Sequence, residues 1–108
     1  MPALLSAPKV AAALSLLPSW TVEGVEMVKL FRFPTYLAGV DFVSSLARAA
    51  ETMNHHPDIH LGWRKVRVRL TTHSAGGLTV LDTRLATVAE SLASAGVTPP
   101  VPEAAAVT

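Results

Sequence analysis

The sequence contains no cysteine among its 108 residues. Disulfide frameworks, thiolate nucleophiles, iron–sulfur clusters and zinc-finger sites are excluded on that count. Aromatic residues are scarce: three Phe, two Trp and one Tyr, too few to furnish a base-stacking surface. Charged residues make up 16% of the chain and the formal net charge is +1. A dedicated nucleic-acid binder would carry a strong basic excess or a clear basic patch, so no nucleic-acid partner is expected. No apolar run reaches the roughly 18 residues of a membrane span, and no membrane association is expected. The amino terminus lacks a secretory pattern, because Pro2 comes first and Lys9 and Pro18 break the short apolar stretch. A cytoplasmic setting is expected.

What the sequence does have is apolar mass. Half of its residues are hydrophobic, the opposite of a disordered composition. The length suits one small domain. Residues 1–96 are expected to form it. Residues 97–108, with Thr98-Pro99-Pro100-Val101-Pro102 and an Ala-rich end, read as a disordered tail.

Periodicity gives the elements. Val10 to Leu17 reads as a short helix ending before Pro18. Ser19–Val22 and Met27–Phe33, joined by the Glu23-Gly24 turn signal, read as a β-hairpin. From Asp41, a candidate cap, Val43, Leu46, Ala47, Ala50 and Met53 form one helical stripe that ends near Asn54 and Pro57. Ile59–Leu61 is a short strand. Trp63–Thr72 is the clearest strand, with Val66, Val68 and Leu70 on one face and Lys65, Arg67 and Arg69 on the other. Ser74–Gly77 reads as a loop and Thr79–Leu81 as extended. A last helix is expected from Asp82, its N-cap, through the stripe Leu85, Val88, Ala89 and Leu92 to a stop at Gly96. The predicted class is α+β in two layers, a four-stranded antiparallel sheet with three helices on one face.

All four histidines lie between positions 55 and 73. Imidazole is the side chain suited to proton transfer near neutral pH. His55 and His56 follow a helix end and His73 closes the long strand, so they converge if that strand end lies beside the helix end. Glu51 precedes His55 by four residues and shares its helical face if the helix persists. Trp63 is either a pocket wall or a core residue. His55, His56 and His60 could instead bind a metal, although a zinc site ordinarily shows regular ligand spacing. The Lys65, Arg67, Arg69 row reads as a solvated outer sheet face or a subunit contact rather than a nucleic-acid contact, since no aromatic interleaves it.

These residues carry a resemblance. Glu51, then His55-His56-Pro57, five residues to Trp63, nine to His73 and eight to Asp82, resembles the signature of the pterin-4a-carbinolamine dehydratases. Asn54–Asp58, Lys65–His73 and Ala75–Thr79 are similar to family sequence, as is Trp20 with the hairpin after it, and the resemblance covers about residues 8 to 96. It implies a four-stranded antiparallel sheet with helices on one side. It also implies dehydration of 4a-hydroxytetrahydrobiopterin, or a related 4a-hydroxytetrahydropterin, to the quinonoid dihydropterin in cofactor recycling. No metal or organic cofactor is expected, and the chain is expected to form a homodimer or homotetramer. Carried over by position, His55, His56 and His73 form the catalytic set, with His55 and His73 as the acid–base pair and His56 mainly holding the pterin. Glu51 would support His55, and Trp63 and Asp82 would sit at the pocket margin. Chains of the same fold also serve as transcription or assembly partners, and a binding module without catalysis is the alternative.

Overall fold

Alternation along one strand organises the molecule. In a computed structural model, which describes residues 2–97, β4 (Lys65–Leu70) buries Val66, Val68 and Leu70 and turns Lys65, Arg67 and Arg69 outward. β2 (Glu26–Arg32) pairs with it antiparallel, setting Met27 opposite Leu70, Lys29 opposite Val68 and Phe31 opposite Val66. β1 (Thr21–Glu23) and β3 (Asp58–Gly62) close the two edges, giving the order β1-β2-β4-β3, antiparallel throughout. Three helices, α1 (Ala7–Leu14), α2 (Tyr36–Met53) and α3 (Val80–Val97), complete the α-β-β-α-β-β-α order. The predicted fold class is the observed one.

The core lies between the helices and the inner sheet face. Leu46 and Ala50 of α2 and Leu85, Ala86 and Ala89 of α3 are buried there against Met27, Phe31, Val66, Val68 and Leu70. Truncating a residue such as Leu46 or Leu85 to alanine would cost about 2–5 kcal/mol through lost transfer energy and the cavity left behind. α2 approaches the sheet closely at Gly39, where a Cβ would come within 3.5 Å of Leu61 and Val66.

Element ends differ from expectation for local reasons. α1 starts and ends three residues early. Ser6 caps its first turn, and beyond Leu14 the Leu16 and Leu17 amides bond to carbonyls three residues back, tightening the chain into a turn before Pro18 is reached. α2 begins at Tyr36 rather than Asp41, because the Thr35 hydroxyl accepts the Ala38 N–H at 3.0 Å. Asp41 is an exposed residue of the second turn. Trp63 is not a strand residue. It occupies the β3–β4 turn with Arg64, whose φ is +61°. His73–Ala75 form a single 3₁₀ turn where a plain loop was expected, closed by Gly76 at φ +79°. α3 begins at Val80, within the stretch predicted as extended, and runs past Gly96 to Val97. The predicted disordered tail lies, from residue 98 onward, outside the described residues.

Candidate active site

The end of α2 decides where the imidazoles point. Asn54 adopts the left-handed conformation (φ 50°, ψ 43°), its N–H bonds to Glu51 O and the His55 N–H reaches back to Ala50 O. This pair of bonds is a Schellman-type termination. It swings His55 off the helical face of Glu51 and into the protein, where the residue is 8% exposed. The predicted support of His55 by Glu51 is therefore not formed. Glu51 instead meets His56, Oε2 to Nε2 at 2.5 Å, and both side chains are exposed.

The partner of His55 is Asp82. Nε2 lies 2.6 Å from Asp82 Oδ1, and Asp82 is fully buried. The other oxygen, Oδ2, accepts the Thr72 hydroxyl at 2.7 Å and the Thr79 N–H at 2.9 Å. The two threonine hydroxyls are 2.8 Å apart, and Thr79 Oγ1 also accepts the Leu81 N–H at 3.2 Å. Thr79 is thus the cap of α3, its hydroxyl taking the N–H of the second helical residue, and Asp82 reaches back from the third helical position to the cap N–H, as the acidic half of a capping box does. Asp82 does take part in capping, as predicted, but not as the cap itself. Within one chain it has no exposed surface, and its contact toward the pocket margin is His55.

His73 joins this assembly through its neighbour. Thr72 precedes it, and the Thr72 carbonyl accepts the Ala75 and Gly76 amides that shape the turn bearing His73. The pairing of Asp58 with Arg69 sets the bend at His55–Pro57 level with the end of β4. His73 is exposed, as is His56, whereas His55 is buried against the Asp82 carboxylate.

Trp63 is placed elsewhere. β3 separates it from the His55–Pro57 bend by its five-residue length, about 16 Å at the strand rise. It is 71% exposed with the Arg64 guanidinium 4.9 Å from its ring centroid. Within one chain it does not border the histidines. His60 faces out from β3 opposite Arg67. Among the described residues, no three His, Asp or Glu side chains are grouped to hold a metal ion, so the set of His55, His56 and His60 is not assembled. A cleft of about 440 Å³ between α1 and α3, lined by Leu16, Leu17, Arg84 and Glu90 among others, contains none of the predicted site residues.

The chain is similar to known proteins. The profile of the pterin 4 alpha carbinolamine dehydratase family matches residues 3–92. The chain belongs to this family. A Cyanothece protein, provisionally named a pterin-4-alpha-carbinolamine dehydratase, is 42% identical over 92 residues, covering 85% of this chain and 95% of its own. A protein of Mycobacteroides abscessus with the same provisional name is 45% identical over 84 residues, 78% of this chain and 89% of that one. The crystal structure of a transcriptional coactivator/pterin dehydratase from Brucella melitensis superposes with a TM-score of 0.80 at 30% identity, covering 83% of this chain and 98% of that chain. A pterin dehydratase-like RuBisCO assembly factor of the alpha-carboxysome shares the fold, with a TM-score of 0.57 at 24% identity over 68% of this chain and 86% of that one.

The partners of Asp82 that the sequence reading did not single out are Thr72 and Thr79. Their signals were present. Thr79 stands three residues before Asp82, the spacing of a capping box, and Thr72 directly precedes His73.

Proposed function

We propose that this chain dehydrates a 4a-hydroxytetrahydropterin, with 4a-hydroxytetrahydrobiopterin as the expected substrate, to the quinonoid dihydropterin. The N5–H proton leaves, the C4a–O bond breaks, the C4a=N5 double bond forms, and the departing hydroxide takes a proton to become water. No electrons are transferred, so the step needs only a base and an acid held on either side of that bond. His55 and His73 are assigned to these roles, and His56, braced by Glu51, to holding the pterin. The observation that carries the reading is the buried His55–Asp82 pair. Burying a carboxylate is costly unless it is paired and hydrogen-bonded, and here that cost is met by His55 and by Thr72, the residue before His73. A cysteine-free chain suits a cytoplasmic setting. A homodimer or homotetramer belongs to the same reading, since edge strands β1 and β3 each have a free edge among the described residues.

The test is a rapid ultraviolet assay of 4a-hydroxytetrahydropterin dehydration against a no-protein control, which sets the spontaneous rate. Native protein accelerates the reaction, and His55→Ala and His73→Ala each lower turnover by roughly 10²–10⁴-fold. Folded native protein without acceleration would overturn the reading in favour of a binding module, and small effects of both substitutions would overturn the assignment of the acid–base pair.

A further inference from the structure

The hydrogen bonds behind His55 have a direction that can be worked out from donor counts. Leu81 N–H can only donate, so Thr79 Oγ1 accepts it. An ionised Asp82 can only accept, so both the Thr79 N–H and the Thr72 hydroxyl donate to Oδ2. Thr72 has then spent its single proton. The 2.8 Å contact between the two hydroxyls must be Thr79 donating to Thr72. Every proton in the chain is thereby committed, and the chain begins at the first turn of α3, whose amide dipoles favour a negative charge at Asp82. At its other end, Asp82 Oδ1 is left with one donor, the His55 Nε2–H, at 2.6 Å.

Two consequences meet at Thr72. Its side chain fixes the carboxylate that fixes the His55 tautomer. Its backbone carbonyl holds the turn that carries His73, through the Ala75 and Gly76 amides, both at 3.0 Å. One residue thus ties the buried imidazole of His55 to the exposed one of His73, 18 positions later in the sequence, although Thr72 itself is buried.

We propose that Thr72 is the positioning residue of this site: its hydroxyl, by holding Asp82, keeps the proton of neutral His55 on Nε2 and so makes Nδ1 the nitrogen that exchanges a proton with substrate. The catalytic part of this statement rests on the dehydratase reading. The tautomer part does not.

The experiment has two arms on the full chain. The first is ¹⁵N NMR of the histidine rings without substrate, above the ordinary imidazole titration range, with the His55 signals assigned by their loss in His55→Gln. Wild type shows His55 protonated at Nε2 alone, Thr72→Val shows a mixture of tautomers, and Thr72→Ser returns the single form. The second arm is the dehydration assay. Thr72→Val lowers kcat by about 10–100-fold with KM changed by less than about twofold, and Thr72→Ser restores kcat. Should Thr72→Val fail to fold, Thr72→Ala takes its place in both arms. A neutral His55 protonated at Nδ1 in wild type overturns the proposal. So does a kcat unmoved by loss of the hydroxyl, or a serine variant as impaired as the valine one. If native protein fails to accelerate dehydration while the tautomer responds as expected, the dehydratase reading falls and the positioning role of Thr72 stands.

Discussion

Helix α3 carries two acidic side chains into the protein, and they meet different fates. Glu90 accepts Lys29 Nζ at 2.6 Å and the Trp20 indole N–H at 2.9 Å, both on Oε2. Lys29 also bonds the Pro18 carbonyl at 2.9 Å and lies 4.7 Å from the Phe31 ring centroid. That cluster joins a permanent cation to a permanent anion and ties the loop before β1 to β2 and α3. Asp82, eight residues earlier, has no lysine or arginine partner among the described residues. Its partners are two threonines and an imidazole whose second nitrogen forms no hydrogen bond among the described residues. A carboxylate whose charge is balanced by lysine serves the fold. A carboxylate balanced only by donors and a histidine suits the acid–base role proposed for His55.

The sharpest way to break this contrast is Asp82→Asn. The Thr79 N–H can only donate, so the amide oxygen of the substituted side chain must take the Oδ2 position, and its NH₂ group then faces His55 Nε2. His55 is forced to accept there and to carry its proton on Nδ1, the reverse of the native arrangement. Turnover should fall by roughly 10²–10⁴-fold, as for loss of the acid–base group itself, in a protein that still folds cooperatively by thermal unfolding. Retained turnover would show that the tautomer of His55 does not matter to the reaction.

The matching substitution in the other cluster is Lys29→Met. It keeps the aliphatic stem over Phe31 and removes the cation, leaving Glu90 with the indole N–H alone. Unfolding in urea should show a loss of about 1–3 kcal/mol, the cost of leaving a partly buried charged group short of its partner. Turnover at a temperature where the variant is folded should equal that of the wild type. A parallel drop in turnover would mean that the two clusters communicate through α3, and the division drawn between them would fail.

The sequence made the fold legible where burial is periodic. The Val66, Val68, Leu70 alternation and the Leu46, Ala50 and Leu85, Ala89 spacings correspond to buried faces. It was less legible at helix starts. Asp41 and Asp82 looked like the better caps on residue type, yet Thr35 and Thr79 hold those positions. The difference arises because capping needs the residue whose backbone leaves the extended state, and that is set by where the preceding strand or turn ends rather than by preference. At the site, sequence spacing pointed to His55 and Glu51 as an i, i+4 pair. A single left-handed residue, Asn54, undoes it by ending the helix between them. Asp82 is 27 residues from His55 and Thr72 lies ten residues before Asp82, so their contacts exist only once β3 and β4 have paired and α3 has packed behind them. Trp63 shows the same limit from the other side. It lies close to the histidines in sequence and is carried away from them by an intervening strand.

The exchange of partners at Asn54 leads to the smallest expected effect. Glu51 and His56 are solvent-exposed, their side chains 77% and 56% accessible, so their pairing should contribute less than about 1 kcal/mol to stability. Glu51→Gln keeps the length of the side chain and removes its charge. Since Glu51 bears on His56 and not on His55, the substitution should act on substrate affinity, raising KM a few-fold while kcat stays within about twofold, the pattern of a lost binding contact. Steady-state dehydration kinetics separate the two parameters. A fall in kcat comparable to that of Asp82→Asn would return Glu51 to the side of His55, and it would mean that the helix end rearranges when the pterin binds.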